Sequence, residues 1–239
     1  MLPSTGTEYL QKNARKLVYA IAFIIACATF VAFSKNGNAT LDTANAFGFL
    51  AFSAISLALA ASPVRALFPA WKYNAAYYRA RRALGVSGFV FAFLHYFIQP
   101  FLFYKGDVAF FLSAAGEAGT WLWVGVAALA MLFLLAATST DYAVRKMGKR
   151  WFTLQKLTYL VYPIIILHAS QIGFDFGRGL NAYSGSFFAI AASTLLLEAA
   201  RAYVSFSKPR RKAEPSAMTP AASPPAQGAK PPAGAPPQV

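Results

Sequence analysis

The sequence predicts an all-α fold: a polytopic membrane bundle of six helices with cytoplasmic termini and a disordered C-terminal tail. Three observations predict it. Six stretches are apolar enough to cross a bilayer, a crossing that takes about 20 residues at roughly 1.5 Å each. Hydrophobic side chains make up 57% of the 239 residues and charged ones 13%, a balance foreign to soluble domains. Lys and Arg gather in alternate connections, as the positive-inside rule requires. The chain thus divides into an N-terminal segment over residues 1–16, a six-helix transmembrane domain over 17–206 and a tail over 207–239.

The first predicted span runs from Leu17 to Phe33. Lys12, Arg15 and Lys16 precede it, and Ala32, Phe33 and Ser34 imitate a small-x-small cleavage site. The run exceeds the roughly 7 to 15 residues of a signal core, so it is read as a retained helix. The second span, Ala46 to Phe68, leads into Arg65, Lys72, Arg79, Arg81 and Arg82. The third, Arg82 to Phe103, carries His95 and Pro100, and the proline is expected to kink it. Gly119 to Thr138 forms the fourth, followed by Arg145, Lys146, Lys149, Arg150 and Lys156. The fifth, Leu154 to Ile172, holds His168 and a second kink-forming proline, Pro163. The sixth, Ser184 to Val204, contains Glu198, read as an ion pair with Arg201 at i+3 and alternatively as a proton carrier for quinone chemistry.

The opposite connections hold only Lys35, Lys105 and Arg178, so an even number of spans leaves both termini in the cytoplasm. Beyond Ser207 Pro, Ala, Ser and Gly dominate, and such a tail buries too little surface to offset its ordering entropy. Its Lys208, Arg210, Arg211 and Lys212 suit anionic lipid headgroups. The net charge of +14 is therefore a membrane-orienting charge, and no nucleic-acid partner is expected. The lone Cys27 excludes an intrachain disulfide and any multi-cysteine metal site. No GxGxxG between strand and helix offers a dinucleotide site, so electrons must come from a separate donor.

The candidate chemistry rests on the chain's two histidines, His95 and His168, both inside apolar runs. An ionisable group in hydrocarbon needs a partner, which makes each a functional candidate. His95 lies 13 residues beyond Arg82 and His168 lies 18 beyond Arg150. In helices running the same way this places them roughly 20 and 27 Å from the basic face, at broadly similar depth. Two imidazoles in a dry bundle suit the axial positions of a low-spin b-type haem. The plainer reading is that each only bonds a neighbouring helix carbonyl. Zinc fits less well, since no carboxylate or cysteine completes a tetrahedral shell. Tyr159 and Tyr162 are read as packed residues with satisfied hydroxyls or as a haem edge. Trp71, Tyr73, Tyr77, Tyr78, Trp121, Trp123 and Trp151 read as an interfacial belt. Gly85 and Gly88 suit close approach by a helix or a cofactor.

Arg81, Arg82, Leu84 and Gly85, running on to Leu94 and His95, resemble the RRxLG...LH segment of the ferric-reductase-like transmembrane family. Thr138, Ser139, Gly148, Lys149, Arg150, Trp151, Leu154, Leu157, Tyr159 and His168 resemble its TS...GKRWxxLHxLxY...H stretch. The branch most similar comprises the haem-binding membrane subunits of bacterial methionine sulfoxide reductase systems. The resemblance implies an inner-membrane cytochrome that passes electrons to a periplasmic reductase partner, with His95 and His168 as the outer-haem ligands. Members that stack two haems keep a second ligand pair about 20 Å lower, 13 or 14 residues away. Those positions here are Arg81 and Gln155, neither a good axial ligand, so one haem b is expected. Arg81 could instead bind a haem propionate or a quinol headgroup, or serve as a basic anchor. A flavin such as FMN or a quinol must bridge the remaining distance, or electrons enter from the quinone pool. The alternatives are a transmembrane ferric or quinone reductase acting directly on a small acceptor, and a non-redox scaffold that has lost its haem.

Overall fold

A computed structural model of the chain describes residues 6–33, 39–98, 107, 109, 113, 120–172 and 181–207. Among these residues all regular structure is helical: α1 Gly6–Phe33, α2 Ala39–Leu67, α3 Asn74–Ile98, α4 Thr120–Ala137, α5 Asp141–Met147, α6 Lys149–Gln155, α7 Thr158–Ile172 and α8 Ala182–Ser207. Four are long and apolar enough to cross a membrane by themselves: α1, α2 over Thr43–Leu67, α4 and α8. The helices that carry the histidines do not meet that standard among the described residues. α3 spends its first turns on Arg79, Arg81 and Arg82, and α7 has 15 residues.

Several boundaries differ from expectation, among them the start of α2 at Ala39, ahead of the expected Ala46. α1 begins at Gly6 and α3 at Asn74, each before the apolar run starts, because an apolar run marks what sits in hydrocarbon and a helix continues past it. Phe68 falls just beyond α2. The fifth predicted span is two helices. At the join, Lys156, Leu157, Tyr159 and Leu160 each donate an amide bond three residues back instead of four, and the Thr158 hydroxyl takes the Gln155 carbonyl. These tight turns separate α6 from α7. Pro100, Lys35, Lys105, Arg178 and the tail from Lys208 onward lie outside the described residues.

α2 is the central helix: 61% of its apolar window is buried, against 17% for α4 and α8 and none for α1. Its Phe52, Ile55 and Leu59 meet Leu132 and Leu135 of α4, Val161 and Tyr162 of α7, and Phe187 and Ala191 of α8. Phe52 stacks on Phe187 at 4.0 Å and on Tyr162 at 5.6 Å between ring centroids. The Tyr162 hydroxyl lies 2.9 Å from that of Ser56, which donates to the Phe52 carbonyl. Outward faces carry exposed Phe23, Ile24, Phe133, Leu134, Leu195 and Leu196, surface that a lipid environment accepts and water does not.

The bundle has two unlike ends. His95, late in α3, meets Ala44, early in α2, while Arg81 meets Ser62 at the far end of the same pair. His168, late in α7, meets Trp121, early in α4, while Gln155 meets Leu135 at that pair's far end. Both histidines therefore share one end, and Arg81, Arg82 and Gln155 share the other. Every described Lys and Arg lies towards the arginine end.

Candidate functional site

His95 continues the stripe of α3 that faces α2, after Ser87, Gly88 and Phe91 and before Ile98, all buried. Phe91 packs on Phe47 of α2 at 6.2 Å, and an added Cβ on Gly88 would lie 2.7 Å from Ile55 Cγ1, so α3 and α2 run in close contact up to the histidine. Gly88 thus serves helix packing, whereas Gly85 faces open space. Half-buried His95 places Nδ1 2.7 Å from the Ala44 carbonyl. His168 extends the Val161 and Ile165 stripe of α7 and places Nδ1 2.9 Å from the Trp121 carbonyl. A carbonyl only accepts, so Nδ1 carries the proton in both rings and Nε2 is the nitrogen not engaged by these bonds.

The arginine end is organised around Arg82. Its Nη1 is 2.6 Å from Asp141 Oδ1, its Nη2 donates to the Ser139 carbonyl, and its guanidinium lies 5.8 Å over the Trp151 ring. Trp151 Nε1 donates to the Thr138 carbonyl at 2.9 Å, and Arg15 reaches Asp141 from α1 at 3.3 Å. The Arg82 hydrogen bond, then the charges of Arg82 and Arg15, hold the Asp141 carboxyl below its ordinary range. Arg81 donates instead to the Ser62 hydroxyl at 2.8 Å, and the Gln155 amide reaches the Leu135 carbonyl at 3.5 Å. Glu198 pairs with Arg201 at 2.7 Å, and Tyr159 joins both, its hydroxyl 3.4 Å from Glu198 and 3.1 Å from Arg201.

The structure places His95 and His168 at one end and sends Arg81 and Gln155 to separate partners at the other. Gln155 ends α6, so the single kinked helix expected to carry both it and His168 is interrupted. Among the described residues no group of three or more His, Cys, Asp or Glu could hold a metal ion. Two imidazoles, each with Nδ1 bonded to a backbone carbonyl, make a donor set that suits a group taking two nitrogens and leaves a zinc shell incomplete. Sequence reasoning missed the residues the rings touch: the Ala44 and Trp121 carbonyls, and Gly48 and Gly125, against which the rings lie.

Residues 47–166 match the family model described as ferric reductase like transmembrane component. That match contains His95 and stops two residues short of His168. The chain is similar to three curated proteins, each named protein-methionine-sulfoxide reductase heme-binding subunit MsrQ. That of Agrobacterium fabrum is 34% identical over 173 residues, 70% of this chain and 76% of the relative. That of Brucella ovis is 30% identical over 223 residues, 87% and 94% of the two chains. That of Brucella anthropi is 28% identical over 201 residues, 82% and 88%.

Proposed function

The chain belongs to the ferric-reductase-like transmembrane family, and on that premise we propose that it is a haem-binding electron-transfer subunit whose His95 and His168 are the axial ligands of one haem b. The observation that carries this reading is the matched state of the two rings, each with Nδ1 committed to a helix carbonyl and Nε2 left as the ligating nitrogen. When bound, such a haem supplies reversible one-electron transfer without an open coordination position.

The chain's own contribution is to hold and insulate. Carbonyls of α2 and α4 fix the tautomer and the rotation of each imidazole, and the apolar stripes of α3 and α7 keep water away. Arg81, bonded to Ser62, and Gln155, turned to Leu135, supply no second axial pair, which favours a single haem. Six spans, with the arginine end and both termini in the cytoplasm of a bacterial inner membrane, fit the placement of every described Lys and Arg. Electrons enter on that side from a separate flavin or quinol donor and leave at the histidine end. The name of the relatives points to a protein-methionine-sulfoxide reductase as acceptor, which in this orientation would meet the histidine end from the periplasm. We keep 17–206 as the spanning unit and 207–239 as the tail in this reading.

The detergent-purified chain should show a low-spin b-type absorption spectrum, and His95→Ala and His168→Ala should each abolish it. A variant that keeps the low-spin spectrum would remove that histidine from the ligand set. A parent without any haem would leave the non-redox scaffold.

A further inference from the structure

We propose that Gly48 and Gly125 are positioning residues that seat the two imidazoles, an inference that rests on reading His95 and His168 as axial ligands. The two sites share one construction. Each ring bonds a helix carbonyl, that of Ala44 or Trp121, and each lies against the glycine four residues further along that helix. The spacing has a physical cause. In an α-helix the carbonyl of residue n bonds the amide of n+4, and the Cα–Cβ bond tilts towards the N-terminus, so a side chain at n+4 overhangs that carbonyl. Glycine opens the approach, at a cost in helix propensity relative to alanine.

The two seats differ in tightness. A Cβ on Gly125 would stand 2.3 Å from His168 Cε1, 2.6 Å from Nδ1 and 2.9 Å from Nε2, overlapping the whole near edge of the ring. A Cβ on Gly48 would stand 3.1 Å from His95 Nδ1 and 3.2 Å from Cε1, a crowding relieved by a shift of a few tenths of an ångström. Gly125 is therefore the stricter seat. Gly85, with no heavy atom within 4 Å of an added Cβ, is the matched control.

The test compares Gly125→Ala, Gly48→Ala and Gly85→Ala in the full-length haem-loaded protein by haem content, low-spin EPR g values and midpoint potential. Gly125→Ala should lose haem roughly 10-fold or more, the scale of a lost ligand-orienting contact, or retain it with shifted g values and potential. Gly48→Ala should keep its haem with a smaller shift, and Gly85→Ala should match the parent. A Gly125→Ala protein unchanged in all three readouts, or a Gly85→Ala protein that moves as far, overturns the proposal. Should Gly125→Ala fail to accumulate, Gly48→Ala decides, and unshifted g values and potential in it count against the seat. If the parent holds no haem, the axial-ligand reading fails and the seats are judged separately by ¹⁵N-histidine NMR, which has only two residues to resolve. Nδ1–H tautomers in the parent, lost at His168 in Gly125→Ala, support the seat. Identical spectra overturn it.

Discussion

Arg81 and Arg82 are neighbours in sequence and part in the structure. Arg81 takes a neutral hydroxyl, whereas Arg82 takes a carboxylate, a carbonyl and an aromatic face. The carboxylate responds to pH. Because Arg82 and Arg15 depress the folded-state value of Asp141, its contribution to stability is present above the unfolded carboxylate value of about 3.9 and is lost as pH falls through the folded one. Thermal unfolding in detergent should show parent stability falling below about pH 4, with part of that slope missing in Asp141→Asn. Asp141 is largely exposed, so the difference should be small and should shrink with added salt. Equal slopes in the two proteins would mean that Asp141 does not hold this end together.

The helix elements were legible wherever apolar length was the signal. Among the described residues each expected run falls largely on helix, the fifth divided between α6 and α7, and four helices are long and apolar enough to span, as hydrocarbon tolerates only chain whose backbone bonds are internally satisfied. What stayed hidden was whatever depends on a partner. The early starts of α1 and α3 come from basic turns that pack through Ala14, Ala76 and Ala80. The break before α7 comes from a run of three-residue bonds with no proline or glycine to announce it. His95 and His168 could be found as lone histidines in apolar sequence. Their seats could not, since Ala44 and Trp121 lie 51 and 47 residues away and helix register is not written in one chain. The GKRW residues turn out to include a clasp, with Trp151 of α6 tying to the carbonyl of Thr138 beyond α4. Trp151→Phe should lower stability by about 1 kcal/mol, the worth of one hydrogen bond, while haem content per chain stays at the parent value. A loss of haem in this variant would show that the clasp also governs the histidine end.

At the scale of the whole molecule the asymmetry between ends organises everything else. Among the described residues the positive charge, the ion pairs and the small connecting helices α5 and α6 occupy one end, and the two imidazoles occupy the other. A wire with one haem near a single face differs in kind from one with two haems stacked across the bilayer, since the first must draw its electrons through a flavin or a quinol. The number of haems is thus the quantity on which donor, route and direction depend. The measurement that tests it most directly is the pyridine haemochrome content of the purified full-length chain. One haem b per chain is the predicted result. Two per chain would contradict the account, because a second axial pair would then exist at the end occupied by Arg81 and Gln155.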